Sequence, residues 1–80
     1  MEREFFTWDN YENTDSSGCF SFYNCTLIKD IGDHKIGEQF ELITIDFESG
    51  ELTLWEDESG DEMIDEYTIG IVIKGKIDSD

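Results

Sequence analysis

The sequence predicts a mainly β, or α+β, fold: an antiparallel meander sheet of about four or five strands, with room for one short helix. Strand-forming aromatic and β-branched residues alternate with polar residues in several short segments. Clusters of turn-forming residues separate those segments, and no stretch longer than a turn has a helical period. Because the chain has 80 residues, we expect one small acidic domain over residues 1–80 with a marginal core.

The first predicted strand is short and is followed by a loop. The segment Phe5-Phe6-Thr7-Trp8 predicts a strand that places Phe6 and Trp8 on one face. Residues 9–18 are dense in Asn, Asp, Ser and Gly, so they predict a loop.

Residues 19–28 predict the second strand. Its period-two pattern places Phe20 and Phe22 on one face and Tyr23, Cys25 and Leu27 on the other. On one strand Cys19 and Cys25 would lie about 20 Å apart, beyond disulfide reach. We therefore expect buried free thiols, which are typical of a reducing compartment.

The middle of the chain predicts a β-hairpin. Residues 29–37 contain two glycines and several polar residues, so they predict a connection. Residues 38–47 predict a strand, Glu48-Ser49-Gly50 predicts a tight turn, and residues 51–56 predict the returning strand.

The C-terminal third predicts an acidic segment and then the last strand. Residues 57–66 predict a loop, or a loop with one helical turn. Residues 67–77 predict a strand with a clear period of two. Four isoleucines share one face of that strand: Ile69, Ile71, Ile73 and Ile77.

Aromatic residues supply much of the expected core. We assign to it Phe5, Phe6, Trp8, Phe20, Phe22, Phe40 and Phe47. For Trp55 a core position is favoured over an exposed one, and Tyr11 falls in the predicted polar loop. If either side chain is exposed, it is a suitable anchor for a protein interface.

The charge distribution is the most unusual property of the chain. The formal net charge is −16, and no lysine or arginine occurs between Lys35 and Lys74. That interval carries twelve carboxylates among strand-forming residues, which a disordered acidic tail would lack. The sequence therefore predicts a folded scaffold that holds negative charges at fixed positions, and whose stability rises with salt and on mild acidification.

We expect these carboxylates to form a binding surface for a partner. Asp46 and Glu48 are two residues apart, which in a strand places both side chains on one face about 6.6 Å apart. Glu51 follows across the predicted turn, and the acidic segment extends the negative surface. The candidate contact residues are Asp46, Glu48, Glu51, Glu56, Asp57, Glu58, Asp61, Glu62, Asp65 and Glu66. The simpler interpretation is an ordinary solvated acidic face.

In size, charge and combination of sheet and carboxylates, the whole chain resembles the small acidic phage-encoded inhibitor proteins that mimic DNA. Members of that class share no sequence motif and have unrelated folds, so the resemblance assigns no residue roles. It implies that the partner is a basic DNA-binding protein of the host, such as a nucleoid protein, nuclease, polymerase, glycosylase or repressor. It also implies inhibition by exclusion of DNA, with no direct binding of nucleic acid.

Two other functions fit the composition. An acidic interaction module or inhibitor would bind a partner outside its nucleic-acid site, through hydrophobic anchors. A salt-adapted acidic domain would use its charge for solvation only and would have no partner. Competition with DNA separates the first from a mimic, and loss of structure at low salt marks the second.

Metal binding and catalysis have little support in the sequence. EF-hand spacing fails from Asp57, where Glu62 replaces the required glycine, and from Asn13, where Asn24 replaces the final glutamate. Close carboxylate pairs arise by chance in so acidic a chain, and neither cysteine has a nucleophile signature with His34. We expect no cofactor, no dedicated metal site and no enzymatic activity.

The sequence also gives general expectations for cellular location and oligomeric state. The first residues lack the basic and apolar regions of a signal peptide, and Ile71-Val72-Ile73 is too short to span a bilayer. We expect a cytoplasmic protein, in the host cell if phage-encoded, with no membrane partner, because anionic lipid repels an anionic surface. The sequence favours neither a monomer nor a homodimer.

Overall fold

A computed structural model of the chain describes residues 5–13, 19–46 and 48–68, which form one antiparallel sheet without a helix. The strands are β1 (Phe6–Thr7), β2 (Asn10–Asn13), β3 (Cys19–Leu27), β4 (Gln39–Asp46), β5 (Glu51–Trp55) and β6 (Met63–Thr68). Neighbours in the sheet follow the order β1-β3-β4-β5-β6, and β2 also pairs with β3. Because β1 and β2 lie end to end along β3, the sheet is the predicted antiparallel meander.

The short strands β1 and β2 form one interrupted edge of the sheet. Phe6 pairs with Leu27, and Tyr11 pairs with Phe22 further along β3. The loop predicted for residues 9–18 is therefore wrong at Asn10–Asn13, and residues 14–18 lie outside the described part. Pairing with β3 and the contact of the Tyr11 ring with Phe22, 5.9 Å between centroids, outweigh the turn propensity of this segment.

A backbone irregularity in β3 changes which side chains reach the core. Asn24 has a φ of 55°, a left-handed conformation that asparagine tolerates better than most residues. Such a residue interrupts the alternation of a strand. As a result Cys25 and Leu27 join Phe22 in one buried cluster, so the prediction that they lie on the opposite face is wrong.

The central hairpin matches its prediction. The Gly50 N–H donates to the Asp46 carbonyl at 2.8 Å, and Gly50 has a φ of 77°. The carboxylate of Asp46 also accepts a hydrogen bond from the Glu48 N–H at 2.9 Å. Turn and strands thus place Asp46 directly opposite Glu51.

The last described strand begins earlier than its sequence suggests. Residues 57–66 were expected to be a loop, but Met63–Thr68 pairs with β5, with a register shift between Leu54 and Trp55. Most of its side chains are exposed, and charged side chains are a common feature of edge strands. Of the strand predicted over residues 67–77, residues 69–77 lie outside the described part.

The core fills one face of the sheet with aromatic and aliphatic side chains. Its buried members are Phe6, Trp8, Phe22, Cys25, Leu27, Ile31, Phe40, Ile43, Ile45, Leu52 and Leu54. Phe5 and Phe20 are partly buried against it, so the expected aromatic core is largely confirmed, whereas Phe47 is outside the described residues. Both cysteines are free as expected, although only Cys25 is fully buried.

His34 ties the connection between β3 and β4 to the edge strand β6. Its Nδ1 lies 3.0 Å from Glu38 and its Nε2 lies 2.8 Å from Asp65. Ionised carboxylates only accept hydrogen bonds, so both ring nitrogens donate when His34 is an imidazolium. These hydrogen bonds, first to Glu38 and then to Asp65, raise the pKa of His34. The connection therefore reaches across the sheet to a strand that is not its neighbour.

We expect the His34 link to stabilise the fold at mildly acidic pH and to weaken as the pH rises. The raised pKa of His34 makes this contribution complete below its ordinary value of 6.5 and removes it as the pH rises through the raised value. The pKa of Glu38 is lowered from 4.5 by the hydrogen bond from His34 and then by the Lys35 N–H, so its contribution disappears as the pH falls through that lowered value.

Thermal melting of the protein and of His34→Gln, at about pH 6 and about pH 8.5, tests this link. From the lower to the higher pH, the melting temperature of the wild type should fall by more than that of the variant. Repulsion among the other carboxylates acts on both proteins and cancels in the comparison. Parallel losses in the two proteins would show that the link does not stabilise the fold.

A candidate acidic interaction surface

The face of the sheet opposite the core carries polar, aromatic and acidic side chains in register. Thr44 pairs with Thr53, which pairs with Glu66, and in the next row Leu42 pairs with Trp55. These positions alternate with core residues such as Ile43 and Leu54, so their side chains lie on the other face of the sheet. Leu42 and Thr53 are nevertheless buried there by their neighbours, whereas Glu66 is exposed. We call this side the outer face and define it by Glu12, Ser21, Tyr23, Leu42, Thr44, Asp46, Glu51, Thr53, Trp55, Met63 and Glu66.

Two aromatic side chains lie at the centre of the outer face. The Trp55 indole N–H donates to Thr44 Oγ1 at 2.8 Å, and the ring is only partly buried. The expectation of a core position for Trp55 is therefore wrong, because its place in the register turns it to the outer face. Tyr23 donates its hydroxyl proton to Glu12 Oε1 at 2.6 Å. This hydrogen bond is the main cause of the raised pKa of Tyr23, with burial a lesser cause.

The acidic loop between β5 and β6 folds back towards these aromatic rings. The Glu56 N–H donates to the Glu62 carbonyl at 2.9 Å and closes the loop. A methyl group at Gly60 would lie 3.6 Å from a Leu42 methyl, so the loop runs over the outer face at Leu42. The negative charge of Glu58 is a minor cause of the raised pKa of Tyr23, so the loop lies within electrostatic range of that ring. Chain segments distant in sequence thus share one acidic and aromatic surface.

The structure divides the ten candidate contact residues into three groups. The turn between β4 and β5 carries Asp46, Glu48 and Glu51; the loop between β5 and β6 carries Glu56, Asp57, Glu58, Asp61 and Glu62; and β6 carries Asp65 and Glu66. The first two groups lie at opposite ends of β5, about 15 Å apart by the rise of a strand. The negative surface is therefore extended rather than a single cluster.

Several of these carboxylates already have partners within the chain. Asp65 meets His34, Glu66 accepts a hydrogen bond from Thr53 at 3.4 Å, and Glu51 accepts one from Ser49 at 3.0 Å. Asp57 accepts hydrogen bonds from both the backbone N–H and the hydroxyl of Ser59, which lower its pKa. These contacts hold the carboxylates in place, and within the described part of the chain Asp65 is the member of the ten that contacts a histidine.

The positive charges of the described residues lie away from the acidic loop. Lys35 forms a 3.8 Å ion pair with Asp30, and Lys29 lies 5.0 Å from the centre of the Phe5 ring. Both lysines belong to the connection between β3 and β4, and residues 36–73 contain no lysine or arginine. Among the described residues, the charged side chains of the outer face and of its loop are therefore all acidic.

We expect the melting temperature to rise when the ionic strength increases from about 10 mM to about 0.5 M. Repulsion between exposed carboxylates acts over about 30 Å at low salt but only a few ångströms at high salt. Calorimetry in NaCl and in an equal ionic strength of KCl checks the effect and separates screening from binding of one cation. A melting temperature that does not change with salt would show that the repulsion is already balanced within the fold.

Sequence reasoning missed two residues of this part of the molecule. Glu12 was placed in a loop, and only the pairing of β2 with β3 brings it to Tyr23. His34 was considered as a partner for a cysteine, but its two acceptors are separated from it by four and 31 positions in the chain. The spacing to Glu38 was visible in the sequence, whereas the contact with Asp65 depends on the fold.

The described residues give little support for thiol chemistry or metal binding. Burial is the main cause that raises the pKa of Cys25 to about 12, and its thiol donates to the Phe22 carbonyl at 3.3 Å, so the reactive thiolate is disfavoured at neutral pH. An open pocket of about 430 Å³ adjoins it, lined in part by Asp9, Asn24 and Glu41. Within the described ranges no three His, Cys, Asp or Glu side chains form a group able to hold a metal ion.

Comparison with protein-family models, curated protein sequences and solved structures finds no significant match to this chain. Among residues 5–13, 19–46 and 48–68 there is also no helix of the length and hydropathy needed to cross a bilayer. The function therefore has to be inferred from the surface itself.

Proposed function

We propose that this protein is a DNA mimic that acts in the cytoplasm as an inhibitor of a basic DNA-binding protein of the host. The observation that supports this most directly is the extended outer face and acidic loop, where carboxylates lie on strands and tight turns with no lysine or arginine among them. A protein that binds DNA makes most of its contacts with phosphates through lysine and arginine. Carboxylates held at fixed positions can occupy the same basic groove.

The inhibition would work by occupancy of that groove. Each carboxylate that meets a lysine or arginine at the interface gains a salt-sensitive attraction, so affinity falls as salt rises. The same negative surface repels nucleic acid, and the mimic has no need of direct contact with DNA. Hydrogen bonds such as those to Asp46 and Asp57 reduce the conformational entropy lost on binding, because they fix the carboxylates beforehand.

A second function, binding to a partner outside its nucleic-acid site, is supported by the partly exposed Trp55 and Tyr23. Aromatic side chains are favoured at the centres of protein interfaces. Such a module would hold its partner whether or not DNA is present. A salt-adapted domain without a partner is the third outcome, and it would retain nothing specifically.

The test is capture of partners from a bacterial lysate on the immobilised protein, with and without excess duplex DNA. Control beads that carry poly-glutamate at the same total charge identify the proteins that bind any polyanion. A basic DNA-binding protein that is retained by this chain, absent from the control beads and released by duplex DNA supports mimicry. A retained partner that ignores DNA, or no specific partner, overturns it.

A further inference from the structure

The outer face combines an aromatic centre with carboxylates from several strands. Trp55 and Tyr23 belong to one row of the register, which passes through Leu42 between them. Glu66 pairs with Thr53, two residues before Trp55, so it is a diagonal neighbour of Trp55 across the register shift between Leu54 and Trp55. Diagonal neighbours in a regular ladder are about 7–8 Å apart, a gap that long side chains bridge. Glu12 is hydrogen-bonded to Tyr23, so carboxylates border both rings.

We infer that the outer face around Trp55 is a docking site for an arginine side chain of the basic partner, with Trp55 stacking on the guanidinium and Glu66 accepting its hydrogen bonds. This inference rests on the proposed function and adds the residue type that the surface selects. It predicts a preference for arginine over lysine, which negative charge alone does not give.

The state of the Trp55 ring supports a stacking role. Its indole N–H is already bound to Thr44, so the exposed part of the side chain offers ring surface rather than a hydrogen-bond donor. The same hydrogen bond fixes the orientation of the ring before a partner arrives. A fixed ring loses little conformational entropy when a planar group stacks on it.

Arginine suits this arrangement better than lysine. The guanidinium is planar, so it can stack on an indole while its N–H groups reach a carboxylate. The lysine ammonium is compact and strongly hydrated, and it gains less from an aromatic surface. Proteins that bind DNA carry arginine at their phosphate contacts, so the chemistry matches the proposed partner.

Charge decides between a basic partner and a second copy of this chain. A second copy would bring Glu66, Glu12 and the acidic loop towards their own equivalents, since these residues border the aromatic centre. Juxtaposed like charges oppose association. A basic partner instead neutralises these negative charges. We therefore assign the surface to a basic partner rather than to a second copy of the chain.

The test uses hexa-arginine and hexa-lysine peptides, whose nominal charges are equal. Calorimetry at low salt should show that the wild type binds the arginine peptide about threefold to tenfold more tightly. Trp55→Leu should reduce this ratio to about one, and Trp55→Phe should keep part of it because a ring remains. Glu48→Gln, in the distant turn, should weaken both peptides and leave the ratio unchanged.

Two-dimensional NMR of the wild type supplies a measurement that does not depend on the folding of a variant. Trp55→Phe identifies the Trp55 indole N–H signal, which should shift more with hexa-arginine than with hexa-lysine. The signal of the buried Trp8 should change little. Equal shifts with the two peptides, or an arginine preference that survives Trp55→Leu, would overturn the arginine site.

The outcome is separable from that of the proposed function. If DNA releases the partner but the protein shows no preference for arginine, the arginine docking site is refuted and DNA mimicry is still supported. If Trp55 confers a preference for arginine but DNA does not release the partner, the docking site is supported and DNA mimicry is refuted.

Discussion

Replacement of Gly32 by alanine is expected to destabilise the protein by about 2–4 kcal/mol, a large part of the stability of a small domain. Gly32 has a φ of +57°, where a Cβ costs about 1–2 kcal/mol. A methyl group there would also overlap the ring of Tyr67, so that ring, the connection or β6 would have to move. Urea unfolding at high salt measures the loss.

Gly37→Ala is the matched control in the same connection. Gly37 has a φ of +96°, but a Cβ there meets no atom within 4 Å. It should therefore show only the backbone cost, about 1–2 kcal/mol. In a Tyr67→Leu background the additional penalty of Gly32→Ala should shrink, because the ring that obstructs the methyl group is gone. Equal losses for the two glycines would mean that the connection does not pack on β6.

Reversal of charge in the acidic loop is expected to weaken binding of the DNA-displaceable partner about tenfold to a hundredfold at low salt. In the sequence, the consecutive carboxylates Glu56, Asp57 and Glu58 are the obvious targets for reversal. Asp57 accepts the hydrogen bonds of Ser59, so its reversal would disturb the loop. The variant therefore combines Glu56→Lys with Glu58→Lys and leaves Asp57 unchanged. Both chosen side chains are exposed.

Asp78→Lys with Asp80→Lys changes the net charge by the same amount and serves as the control. If the acidic loop is part of the contact surface, the control pair should weaken binding much less. Titration calorimetry at two salt concentrations measures both pairs, and the gap should narrow as salt rises because the loop contribution is electrostatic. Equal weakening by both pairs would contradict the placement of the site.

The sequence predicted the regular strands better than the irregular ones. Strand alternation located β3, β4 and β5 and the turn that ends at Gly50, because these elements have strong local patterns. It did not find β2, whose asparagines favour turns but whose backbone pairs with β3. It also gave the wrong face for Cys25, because one left-handed residue at Asn24 shifts every later side chain.

By itself the sequence determined that this is a mainly β protein with an uncompensated negative charge and with candidate carboxylates in a tight turn and in the acidic segment after the hairpin. Composition and period-two alternation are local properties, so a single chain reveals them. Only the tertiary structure decided that Trp55 lies on the outer face, that Glu12 meets Tyr23, and that His34 bridges to Asp65. Those contacts join strands distant in the chain, and they depend on register and on the path of the connection across the sheet, which no local pattern encodes.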